Sequence, residues 1–376
     1  MTVFELFFDL VFVFALTRVT SLVIGTPTAA SIGRGLLLLA LLWWAWGAYA
    51  WLTNAVNTDS APARLVILGA MGALLIVAVA VPEASGRDAW AFAFGYLVVR
   101  VLHLVLFAVA GGSFNRAAIL RLAPGNLAAS LLLIIGVFVP PVMQVILWVI
   151  AVMIDYGTPL ITGVGGFTVH AGHFAERHSL FVIIALGESV VAIGAGALSG
   201  TEGGPVGITM ALSISILLAI GVIGGLWWVY FDREAEITER VLSIAQGPHR
   251  AHLARDMFSY LHFPLVVGIV FIAVGVQGVM KHPSEAMSGV APYCLGAGAA
   301  LFLFDLGALR WRRGSRLRPD HLIGAVVCLT IIPLATVVPG LMSLGLLALV
   351  QVLIAVMDRN SSIHEHVREP ATIVQN

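Results

Sequence analysis

The stretch FAERHSLFVIIALGESVVAIGAG, residues 174–196, sets Glu176, Arg177 and His178 ahead of an apolar run and then puts Glu188 inside it. Nine residues that hydrocarbon would accept, Ser179 to Gly187, separate the two groups. A helix over 178–198 rises about 31 Å at 1.5 Å per residue, close to the thickness of a bilayer core. The stretch therefore reads as a spanning helix that carries a carboxylate, and such a group needs a partner or a task.

The rest of the chain has the same character. Its 376 residues are 60% hydrophobic and 11% charged, with a mean hydropathy of +1.00, whereas a soluble domain carries about 25% charged residues. The expected class is an all-α polytopic integral membrane protein whose first partner is the lipid bilayer. Apolar runs predict helices at roughly 3–24, 31–53, 65–82, 89–110, 126–139, 142–157, 178–198, 206–231, 257–280, 289–309, 321–338 and 340–357. The fifth and sixth are short, about 14 residues or roughly 21 Å, and Pro140-Pro141 interrupts them. They read as a hairpin or as one broken span, so eleven and twelve helices both stand. The start, MTVFELFFDL, lacks a basic region and a small-residue cleavage site, and a retained first helix is expected.

Nineteen of the 20 basic residues are arginine. On a twelve-helix count fifteen of them, including Arg116, Arg121, Arg177, Arg255, Arg310, Arg316, Arg318 and Arg359, fall on the side of the termini. Positive charge stays inside, which predicts both termini in the cytoplasm. FVFALTRV in the first helix resembles VIIALGES in the seventh, and IAVM recurs at 150–153 and 354–357. These echoes suggest two six-helix halves, 1–160 and 161–360, followed by a polar tail at 361–376. Residues 232–256 form a charged connector, read as a solvated linker with topogenic arginines or as a surface helix broken at Gly247-Pro248.

Ionisable residues within spans usually face the protein interior and mark substrate or ion paths. Here they are Glu5, Asp9, Arg18, Arg100, His103, Glu188, His262 and Asp305. Asp9 and Arg18 are nine residues apart, half a turn out of phase, so each needs a partner on another helix. The repeat alignment sets Arg18 opposite Glu188, which makes that pair the first expectation. The plain alternative is that such pairs are structural staples. His170, His173 and His178 with Glu176 match no zinc signature, so no metal is expected, nor any cofactor; the histidines are placed at the membrane interface. WWAWGAYAW, residues 43–51, is read as core packing or as an aromatic wall for an apolar or cationic substrate. Cys294 and Cys328 lie in apolar runs without partners and read as buried thiols.

ELFFDLVFVFALTRVT near the start, followed far downstream by HFAERHSLFVIIALGESVVAIG, resembles the bacterial low temperature requirement A family of membrane proteins along nearly the whole chain. The resemblance implies a multi-pass inner-membrane protein linked to growth in the cold and leaves the activity open. By motif, Glu5, Phe8 and Asp9 match the first signature, and His173, Glu176, Arg177, Gly187, Glu188 and Ser189 the second. The functional expectation is a permease-like protein with a polar substrate or proton site between the halves, built from Glu188, Arg18, Asp9, Arg100, His103 and Glu5. His173, Glu176, Arg177, Gly187 and Ser189 would stand at its cytoplasmic entrance. A membrane enzyme acting on a lipid or isoprenoid and a non-catalytic stress-response protein are the alternatives. No nucleic-acid partner is expected; a small molecule or ion, and a second copy of the chain, are the partners left open.

Overall fold

A computed structural model describes residues 2–58, 60–199, 207–314 and 319–368, with side chains as far as 358. Arg316, Arg318, Thr201 and the end of the polar tail, and the side chain of Arg359, lie outside the described residues. The elements are α1 (Val3–Gly25), α2 (Ala29–Ala55), α3 (Ala61–Ala80), α4 (Ala89–Ala110), α5 (Gly112–Val137), α6 (Pro141–Thr162) and α7 (Ala171–Ser199). They continue with α8 (Met210–Val229), α9 (Ala235–Ile244), α10 (Gly247–Leu253), α11 (His262–Lys281), α12 (Ala291–Arg312), α13 (Pro319–Ala335) and α14 (Gly340–Arg368).

Among the described residues, eleven helical stretches are long and apolar enough to cross a membrane, and α13, with 17 residues, is a shorter apolar helix. The expected all-helical polytopic class holds, and the segment count holds with it. The doubtful member changes, however. α5 and α6 have 26 and 22 residues, so each is long enough to span by itself, and neither the half-length hairpin nor the single broken span is formed. Asn115, Arg116 and Arg121 resemble a loop, so the sequence predicts a start for this helix only at 126. The helix runs through them and through Pro124.

By packing the chain forms two compact units. The first comprises residues 1–188 and 238–263, the second 189–237 and 264–376. In the first, α2 is the most enclosed span, with 78% of its apolar window buried against 22% for α6. Its Trp43, Trp46 and Tyr49 are among the largest fully buried side chains. The outward faces of α3 to α6 expose Leu68, Ile76, Phe94, Val105, Leu131 and Met153, a density of exposed large apolar groups that suits acyl chains and not water.

In the second unit α11 and α12 cross on glycine. A Cβ added at Gly268 would meet the carbonyl oxygen of Gly298 at 2.7 Å, and one at Gly298 would meet that of Gly268 at 2.8 Å. Without a hydrophobic drive between helices in lipid, such close backbone approach is what holds spans together.

The connector is not a separate solvated helix. α8 continues through a π-helical turn, Tyr230–Glu234, into α9, and α10 continues through another, Ala254–Tyr260, into α11. The two continuous stretches, Met210–Ile244 and Gly247–Lys281, have 35 residues each, about 52 Å, well beyond a core of about 30 Å. They break where expected, at Gly247-Pro248, and Gly247 takes φ +53°.

Candidate functional site

Two groups of polar side chains occupy the first unit, one on each side of Tyr49. The first lies between α1 and α7. Glu5 accepts from the backbone N–H of Thr2 at 2.8 Å in an N-terminal capping box, and Nε2 of His173 lies 3.0 Å from its carboxylate. One turn further, Asp9 Oδ1 accepts from Arg177 Nη2 at 2.7 Å and from Trp46 Nε1 at 2.9 Å. Arg177 also donates to Thr53 Oγ1 at 2.5 Å and lies 5.8 Å from the ring centroids of Phe8 and Trp46. Glu188 accepts from Thr17 Oγ1 at 2.5 Å. Glu5 with His173, Asp9 with Arg177 and Thr17 with Glu188 follow in the same order along both helices, so α1 and α7 run parallel and the two sequence signatures are one packed seam.

This seam corrects several expectations. Arg18 does not pair with Glu188; it is half-buried, with its guanidinium 6.0 Å from the Phe14 ring, and its neighbour Thr17 meets the carboxylate instead. Arg177 is not open to solvent, since it and Asp9 are both 0% exposed. His178 is buried as well. Its Nδ1 lies 2.9 Å from the Phe174 carbonyl, and its ring packs against Trp46, Phe258 and His262. Glu176 and Gly187 are exposed, and Ser189 is buried. Only the signature positions on one face of α7 enter the seam.

Arg100 and His103 belong to the second group. Arg100, on α4, is 1% exposed and donates through Nη2 to Asp155 Oδ1 at 3.0 Å and to the Asn126 side-chain oxygen. Tyr96 donates to the other oxygen of Asp155 at 2.9 Å. The remaining guanidinium nitrogens, Nε and Nη1, are buried and have no hydrogen-bond partner. His103 sits between the rings of Tyr49 and Phe107, 5.6 Å from each. Tyr49 in turn touches Phe8 of the seam at 4.9 Å. Tyr96, Asn126 and Asp155 were not legible as partners of Arg100, because a helix ending at 157 puts Asp155 in the interface, where an acid needs no explanation.

Arg100 and His103 line a small, largely apolar cavity of about 70 Å³. Trp43, Trp44, Trp51, Phe107 and Phe167 supply its aromatic surface. The π-helical turn of residues 254–260 closes one side with Arg255 and Ser259. Both indoles nearest this turn are pinned to it: Trp43 Nε1 donates to the Ser259 carbonyl at 2.7 Å and Trp51 Nε1 to its hydroxyl at 2.9 Å. Arg255 donates to the Pro159 carbonyl at 3.1 Å and pairs with Asp256 at 2.7 Å. Single π turns recur at functional sites because they turn a side chain off the regular helical face.

The aromatic stretch of α2 thus divides its work. Trp46 and Tyr49 pack and hold polar partners, whereas Trp43, Trp44 and Trp51 form a wall. The cavity draws on the C-terminal parts of α2, α4 and α6, the first half of α5 and the start of the α10–α11 stretch. In a bundle of alternating spans those parts share one end, the end of the amino terminus and the charged connector.

The second unit holds a separate buried cluster. Arg310 donates to Glu234 and Asp358, Arg313 pairs with Glu234, and His321 lies 3.1 Å from Asp358. Asp320, His321 and Asp358 present atoms within 4.8 Å of one another, a spacing that could hold a metal ion. One of those carboxylates is already engaged by a guanidinium, Arg310 Nη2 at 3.3 Å, which opposes a further cation there.

Comparison with known proteins gives two matches. The model of the family described as bacterial low temperature requirement A protein (LtrA) matches residues 1–356. An uncharacterized protein of Rhizobium meliloti (strain 1021) is 28% identical over 369 residues, covering 94% of this chain and 87% of that protein.

Proposed function

We propose that this chain, which belongs to the bacterial low temperature requirement A family of membrane proteins, is a permease-like protein whose substrate site is the Trp-walled cavity of its first unit. The observation that carries the reading is Gly47. It is buried in mid-helix, it lines the cavity, and a Cβ added there would meet nothing within 4 Å. A glycine inside a helix costs roughly 0.5–1 kcal/mol relative to alanine, and close packing does not explain this one. Its missing side chain leaves room where a ligand would lie.

The six residues expected to form the site, Glu5, Asp9, Arg18, Arg100, His103 and Glu188, all belong to that first unit. Their roles differ. Asp9 is held by Arg177 and Trp46 and acts as a fixed pair. Glu188 is 1% exposed and has no basic partner among the described residues, so it is the carboxylate free to take up and release a proton during a cycle. The test is flux in proteoliposomes, with a pH-sensitive dye and pools of lipophilic, cationic and anionic solutes. The parent chain should move solute; Gly47→Leu should block it while unfolding no earlier than the parent. Glu188→Gln should keep the fold and lose proton-linked flux. Silence of the parent under every gradient would leave a structural or stress-response role.

The location that goes with this reading is the bacterial inner membrane, both termini and the connector facing the cytoplasm. Fifteen of the 20 basic residues then lie on the retained side, and the cavity lies in the cytoplasmic half. A cysteine placed at Gln246 should resist an impermeant thiol reagent in intact cells, and one at Ser85 should react. Labelling at Gln246 from outside reverses the orientation.

A further inference from the structure

We infer that the cavity takes a small amphipathic organic anion, a carboxylate on a flat apolar body, with the carboxylate seated at Arg100; this rests on reading the cavity as the substrate site. An aromatic wall by itself would serve a cation or a neutral apolar molecule equally well. The charges around it decide between them. None of the lining residues is Asp or Glu, whereas two are Arg, Arg100 and Arg255. A cation bound there would have no counter-ion and two guanidiniums nearby.

Arg100 also has capacity left. Asp155 and Asn126 engage Nη2 alone, and Nε and Nη1 are buried donors without an acceptor. Buried donors left unsatisfied are costly, and a guanidinium in this state is poised for a carboxylate. Asp155 and Asp256 already pair with the two guanidiniums, so a single negative charge suits the site better than a doubly charged phosphate. The indoles fixed on Ser259 at 2.7 and 2.9 Å give rigid flat surfaces for the rest of the molecule.

Three probes of matched shape separate the possibilities: 2-naphthoate, 2-naphthalenemethanol and 2-naphthylmethylammonium, titrated against the full chain in nanodiscs with empty nanodiscs as the partition control. Tryptophan fluorescence reports occupancy. Naphthoate should bind at least about tenfold more tightly than either analogue, the gain of one charge-assisted hydrogen bond. Exchanging Arg100→Gln together with Asp155→Asn removes the pair without leaving a lone ion; it should abolish that preference and keep binding of the alcohol. Gly47→Leu should abolish binding of all three.

Equal binding of the three probes by the parent overturns the anion and leaves the cavity as a substrate site. Preference for the ammonium overturns the anion in favour of a cation. If no probe binds, the anion assignment fails, and the flux assay alone then decides whether the chain transports anything. A preference for naphthoate that survives the Arg100/Asp155 exchange overturns the role of Arg100.

Discussion

Arg177→Ala is expected to destabilise the first unit by about 3–5 kcal/mol, because it strands Asp9 as a buried ion. Asp9 is 0% exposed, and what would remain to it is a single neutral donor, Trp46 Nε1 at 2.9 Å. Asp9→Ala should cost a similar amount, leaving the guanidinium with Thr53 and two aromatic rings. The double change removes both ions and should cost clearly less than the sum of the two. A double-mutant cycle on thermal unfolding in detergent or nanodiscs measures the difference, with a coupling in the range of about 1–3 kcal/mol for groups in one network. Strict additivity would mean that the two charges are not in contact. Because Asp9 lies in the first signature and Arg177 in the second, coupling would also show that both signatures describe one interface.

Much of this seam was legible. Apolar length fixed the spans, and the rarity of charge in them singled out Glu5, Asp9, Arg100, His103 and Glu188 before any geometry. What one sequence did not contain was the pairing between helices. The repeat alignment chose the right level of α1 for Glu188 and the wrong face, since Thr17 and Arg18 are neighbours in sequence and about 100° apart around the helix. The polar neighbourhood of Arg255 predicts a topogenic charge in a linker, yet the π-helical turn that carries it lines the cavity. The cavity is a property of several helix ends meeting, which no single stretch of sequence displays.

Arg310 gives the other large effect, and it tests how far a charge at the end of a span serves topology alone. By position Arg310 is one of fifteen basic residues on the retained side, and losing one of fifteen should leave orientation and stability nearly unchanged. Its contacts predict otherwise. Nε and Nη2 both donate to Glu234 Oε1, at 2.7 and 2.5 Å, and Nη2 reaches Asp358 at 3.3 Å, with the Arg310 side chain 6% exposed. This guanidinium ties the π-helical turn after α8 to α12 and α14 inside the second unit. Arg310→Ala should cost about 3–5 kcal/mol, although Arg313 stays on Glu234 at 2.8 Å. Arg310→Lys keeps the charge but gives up the planar fork, so it should recover part of the loss and not all. Thermal unfolding of the three proteins in nanodiscs ranks them: parent, then Lys, then Ala. A topogenic residue would leave all three within about 0.5 kcal/mol, as exposed positions do, and that result would reduce the buried cluster to a solvated helix end.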